Sequence, residues 1–162
     1  MEVNSISSPD KDWKDFLKSE NTYFAARQKF AQNANINKMS LVRAALHKAT
    51  ERGCALRYLI SVGDIDCNYL LNELLEIASL SSPNIQMARD LILRVDKNIV
   101  INGIELKLND AFLSNDDEVI RRLAELSILI DMNLFKNLVS RALENSNSDI
   151  KEIGEDFQSR IS

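Results

Sequence analysis

Glycine and proline are scarce in this chain, four and two among 162 residues. A fold of many short strands needs turn residues at every reversal, so the shortage argues against a sandwich or barrel. Histidine occurs once, as His47. H-E-x-x-H, C-x-x-C and glycine-rich phosphate-loop patterns are all missing, which leaves no recognisable ligand set or nucleophile–base pair. The two cysteines, Cys54 and Cys67, make neither a disulfide framework nor a metal set and read as small buried apolar groups. No apolar run reaches the ~20 residues that span a bilayer. The opening MEVNSISSPDKDW has neither the basic start nor the apolar segment of a secretory signal. These shortages predict a cytoplasmic protein off the membrane, not an enzyme, with no catalytic residue, no metal and no cofactor.

What is present favours helix. Leu, Ala, Glu, Lys and Arg dominate the long runs. Hydrophobic residues make 45% of the chain and charged ones 27%, enough for one globular domain with a substantial core. Net charge is −4 but unevenly spread: residues 1–60 carry +4 and residues 61–162 carry −8. An acidic body disfavours nucleic acid, whose phosphates need a positive footprint, and suits a basic protein partner.

The first 60 residues read as a divergent helical cap. Ser8-Pro9 opens a helix with Trp13, Phe16 and Leu17 at i, i+3, i+4. A second short helix carries Tyr23, Phe24, Phe30 and Ala31 and dissolves at QNANINK. Ser40 is the expected cap of a third, which Gly53 stops. CALRYLISVG, apolar nearly all round, then predicts an enclosed helix.

From residue 61 the punctuation repeats. An Asp opens a turn at positions 64, 96 and 131, and a Ser near the end of each unit falls at 82, 114 and 146. Those spacings of 32 to 35 predict helical hairpins laid side by side. Ser82 with Pro83 opens one first helix, with Ile85, Ala88, Leu91, Ile92 and Val95 facing inward. Asn115 with Glu118 forms a capping box for the next, whose inner face holds Val119, Leu123, Leu126 and Ile130. The last helix has only a thin stripe, Ile150, Ile153, Phe157 and Ile161, as a terminal unit should. One segment supports two readings. Residues 98–108 place Asn102-Gly103 between alternating apolar residues, a hairpin signal. The same residues also allow a helix capped by Asn102 with Glu105 closing the box. The repeat register favours helix.

SPNIQMARDLI, NDDEVIRRLAEL and NSDIKEIGEDF, each a capped first helix, and MNLFKNLVSRAL, a second helix, carry a resemblance to HEAT or armadillo-type repeats. The resemblance covers residues 62–162, with a period shorter than the ~40–47 usual for that class. It implies an all-α solenoid of stacked antiparallel hairpins that binds other proteins without catalysis. In its size, acidity and repeat character the chain also resembles bacterial immunity proteins, implying a cytoplasmic partner that neutralises a basic toxin domain. An adaptor or regulatory subunit of a larger assembly is the alternative.

Polar stripes on the second helices supply the candidate binding residues: Asn68, Asn72 and Glu76; Glu105 and Asn109, joined by Asn102; and Asn133, Asn137, Ser140 and Glu144. Stacking would line them along one surface. Elsewhere the bland reading suffices. His47 is a surface histidine, Asp66 in the Asp64-Ile65-Asp66 triplet is a helix cap, and Asp116, Asp117 and Glu118 favour a positive helix start without converging on a substrate.

Overall fold

The computed structural model describes residues 9–62 and 67–160, and every regular element among them is helical. The expected caps at Ser8 and Asp66, the turn-opening Asp64 and the inward Ile161 lie outside the described residues. Contacts divide the chain into two units, Met1–Leu41 and Val42–Ser162. No described helix is long and apolar enough to cross a membrane.

In the first unit, α1 runs unbroken over Pro9–Gln32, where the sequence suggested two helices. The expected break falls on Ser19-Glu20-Asn21-Thr22. There the hydroxyls of Ser19 and Thr22 donate to the carbonyls of Asp15 and Lys18, at 2.9 and 2.8 Å. Turn-forming side chains are thus absorbed by bonding back into the preceding turn. Asp10 and Asp12 sit in the first turn and Lys29 in the last, as the helix dipole favours. Asn37, rather than Ser40, caps α2 (Lys38–Leu46): its Oδ1 accepts from the Ser40 amide at 3.0 Å.

Gly53 does not stop a helix. The break comes earlier, where the Arg52 side chain donates Nε to the Leu46 carbonyl at 2.8 Å and closes the end of α2. Then α3 (Ala49–Val62) passes straight through Gly53. A glycine near a chain reversal resembles a C-cap, but capping by a long arginine needs no left-handed residue. Cys67 is buried, whereas Cys54 is exposed, against expectation. It lies beside Arg57 on the outer side of α3, while Ala55, Leu56, Tyr58 and Leu59 take the inner side.

The rest of the second unit alternates between two layers. One contains α3, α5 (Ile85–Ile92), α7 (Asp117–Ile130) and α9 (Ser148–Gln158). The other contains α4 (Leu71–Ala78), led by a 3-10 turn at Cys67–Leu70, α6 (Lys97–Ser114) and α8 (Met132–Leu143). Helices pair as hairpins, α4 on α5, α6 on α7 and α8 on α9, and each layer also packs along itself through α3 on α5, α7 on α9 and α4 on α6. Leu74, Leu91, Ile92, Ile104, Leu108, Ile120, Leu123 and Leu126 fill the space between the layers, and Phe135 meets Phe157 edge-on at 5.8 Å.

Polar links repeat at about one period. Arg94 reaches the Ile60 carbonyl, Lys97 meets Asp131, Arg89 meets Glu125, Arg121 meets Asp156, and Arg141 meets Asn109. These partners are 32 to 36 residues apart, so the sequence spacing corresponds to a physical stacking distance. Asp96 and Asp131 are true caps, accepting from Asn98 and Ile99 and from Asn133 and Leu134.

Two further caps differ from expectation. Ser82 does not open α5; its Oγ accepts from the Asn84 amide, making a tight turn, and the helix starts at Ile85. Asn115 is the left-handed end of α6, at φ 55°, and Asp116 takes over as cap of α7. Two junction residues cannot both be N-caps, and asparagine tolerates the left-handed region best. Glu118 is therefore released from the box and accepts from the Ser81 amide at 3.0 Å.

Residues 98–108 form no β-hairpin. Helix α6 begins at Lys97, five residues before the expected Asn102 cap. The Asn-Gly pair lies mid-helix because Gly103 is a point of close approach. A Cβ there would lie 2.9 Å from Cδ1 of Leu75 and 3.3 Å from Cδ2 of Leu71 on α4. The signal that suggested a turn instead lets two helices touch.

Candidate functional site

On the outer side of the layer formed by α4, α6 and α8, Asn68 sits on the 3-10 turn and Asn72 and Glu76 on the first turns of α4 and beyond; all three are exposed. Asn102, Glu105 and Asn109 are exposed on α6, and Asn133, Asn137, Ser140 and Glu144 on α8. Hydrophobic periodicity explains this placement. Leu71, Leu74, Leu75 and Ala78 turn α4 inward, as do Val100, Ile104, Leu108 and Ala111 for α6 and Leu134, Phe135, Leu138, Val139 and Ala142 for α8.

Neighbouring helices of this layer are joined directly. Arg141 on α8 donates to Oδ1 of Asn109 on α6 at 2.9 Å, and its guanidinium lies 4.3 Å from the ring centre of Phe112. That double contact fixes one planar cation against an amide and an aromatic face. At the opposite side of α6, Gly103 meets Leu71 and Leu75 of α4. Ser140 and Glu144 pair one turn apart at 3.4 Å.

The polar stripes are accompanied by apolar residues that the sequence reading left out. Leu106 is 69% exposed, Leu113 84% and Tyr69 67%, with Ile99 and Met132 close to half exposed. Ile99, Leu106 and Leu113 recur every seven residues and form a line along the outside of α6, among Asn102 and Asn109. The signal was legible in principle. Once α6 is taken as one helix from Lys97, its apolar residues exceed what a single inner face can hold. The Asn102 cap hid this by shortening the helix. Tyr69 lies on the 3-10 turn, Ile99 in the first turn of α6 and Met132 at the start of α8.

Electrostatics around this face are of pinned charges. Arg43 bridges to Glu73 at 2.7 Å and also donates to the Tyr69 carbonyl. Lys97 bridges to Asp131 at 2.7 Å. The Lys97 contact, with the amides of Leu134 and Asn133, holds the Asp131 carboxyl below its ordinary range despite some opposing desolvation.

The most enclosed charges lie in the other layer. Glu125 accepts from Arg89 at 2.7 Å and from Arg122 at 3.0 Å, and Arg89 also donates to the Arg122 carbonyl. Burial pushes the Glu125 carboxyl up, but the hydrogen bonds and charges of the two arginines outweigh it and the net shift is downward. This carboxylate, held between two guanidinium groups, ties α5 to α7. Burial alone raises the Tyr58 hydroxyl. Among the described residues no three His, Cys, Asp or Glu side chains gather as metal ligands. His47 is exposed at the α2–α3 junction.

No family model, curated protein or solved structure matches this chain.

Proposed function

We propose that this chain is a protein-binding module without catalysis of its own, a short HEAT-like solenoid whose partner docks on the outer side of α4, α6 and α8. The observation that carries the reading is the line of Ile99, Leu106 and Leu113 exposed between amide and carboxylate side chains. Exposed apolar groups rimmed by polar ones are the usual composition of a protein interface. The candidate residues Asn68, Asn72, Glu76, Glu105, Asn109, Asn133, Asn137, Ser140 and Glu144 form that rim.

The finer proposal is a cytoplasmic immunity protein that covers a basic antibacterial toxin domain. The −8 carried by residues 61–162 favours rapid encounter with a basic surface, while the apolar line would set the lifetime of the complex. Its test is to mix the purified chain with the toxin encoded by the neighbouring gene and follow complex formation by size exclusion and toxin activity. A complex lost on Leu106→Glu with Leu113→Glu, at unchanged helix content, supports the proposal. Absence of a complex refutes the toxin assignment, and a complex indifferent to the double substitution refutes the docking face.

A further inference from the structure

Within the first unit, α1 bears its own apolar stripe: Trp13, Phe16, Leu17 and Phe24 are 57, 52, 42 and 49% exposed. The spacing continues through Tyr23, Phe30 and Ala31 along one side of the helix. Two charges interrupt the middle of that side. Arg27 lies over the rings of Tyr23 and Phe24, at 5.8 and 5.1 Å from their centres. Glu20, two turns further toward the start, forms no ion pair among the described residues.

We propose that α1 pairs antiparallel with α1 of a second copy of this chain. The charge pattern selects the partner. A two-fold axis between residues 23 and 24 sets Glu20 opposite Arg27 of the second copy, and Arg27 opposite its Glu20. The same axis sets Tyr23 opposite Phe24 and the large Phe16 opposite the small Ala31. A parallel pair would instead put Glu20 on Glu20 and Arg27 on Arg27, burying like charges without compensation. An interfacial membrane helix fits less well, because charges of both signs sit in the centre of the stripe and Asp10, Asp12 and Asp15 share the helix with its lysines.

Size sets the strength. Phe16, Leu17 and Phe24, at roughly 100 Å² each per copy, remove about 600 Å² from water, Trp13 falling opposite residue 34 beyond the end of α1. That is below the ~1,200–2,000 Å² of a stable interface, so the dimer is weak and forms only at high concentration.

Sedimentation equilibrium of the full chain tests this. The expected result is a shift from the 18.4 kDa monomer toward twice that mass as concentration rises to ~500 μM. Glu20→Arg and Arg27→Glu, each alone, should weaken association at least ~10-fold, and the double exchange should restore it to within ~3-fold of the original. Recovery in the double variant separates lost pairing from lost folding, with circular dichroism as a second control. A chain monomeric throughout, a dimer insensitive to the single exchanges, or a double variant that stays monomeric while folded would each overturn the proposal. So would a monomer that binds vesicles of anionic lipid.

Discussion

Two helical glycines provide a sharp test of how closely the layers pack. At Gly103 an added methyl meets the Cδ1 end of Leu75 at 2.9 Å, an atom that can turn aside. At Gly154 it meets the backbone nitrogen of Leu143 at 2.8 Å and the Cγ of the same residue at 2.9 Å. Replacement by alanine favours either helix by about 0.8–1.0 kcal/mol. Overpacking opposes it by ~1–3 kcal/mol, the upper end where backbone must shift. Gly103→Ala should therefore lie within ~0.5 kcal/mol of the parent protein, and Gly154→Ala should lose about 2 kcal/mol. At ~2–4 °C per kcal/mol for a chain of this size, the second variant melts ~4–8 °C lower. Thermal and urea unfolding followed by circular dichroism supply the measurement. Equal melting temperatures for the two variants, or a Gly154→Ala more stable than the parent, would refute the proposed contact of α9 with α8.

Three further outcomes are expected. Asp131→Asn should lower the melting temperature at neutral pH: because the folded carboxyl is held below its unfolded value, its stabilisation is present above the unfolded pKa and disappears as pH falls through the folded one. The gap between variant and parent should accordingly close as pH falls below the ordinary carboxylate range, and a pH-independent gap would remove the ionic cause. Asp96→Ala should cost about 1 kcal/mol through the lost cap, whereas Asn102→Ala, mid-helix and exposed, should be neutral or slightly stabilising; the reverse order in urea unfolding would restore Asn102 as the helix start. Arg89→Ala should cost ~2–3 kcal/mol and Arg89→Met less, since the methionine keeps the packing of an arginine only 11% exposed and Glu125 retains Arg122; identical losses would assign the whole effect to charge.

The all-α architecture was legible because inward apolar residues recur with helical spacing, as Ala88, Leu91, Ile92 and Val95 do. The period was legible because Asp96 and Asp131 each make the same two amide contacts at a helix start. Boundaries were not, wherever one residue type serves opposite ends of a helix. Asn115 and Asp116 could each begin α7, and only the left-handed backbone at Asn115 separates their roles. Gly53 and Gly103 misled for a related reason: a missing side chain permits a turn, and it equally permits a neighbour to come close. That neighbour is far away in the chain, Asn84 for one and Leu75 for the other. The candidate polar residues were legible as outward positions, but the hydrophobic line on α6 depended on a helix start that tertiary packing decides.

Helix α7 touches α4, α6, α8 and α9, while α9 is held mainly by α7 and α8. Such a keystone divides the molecule's resistance unevenly. Local opening should release α9, which has fewer neighbours, before α7. Amide exchange should therefore be slowest in the middle of α7 and rise toward the last helix, leaving the line on α6 braced from behind.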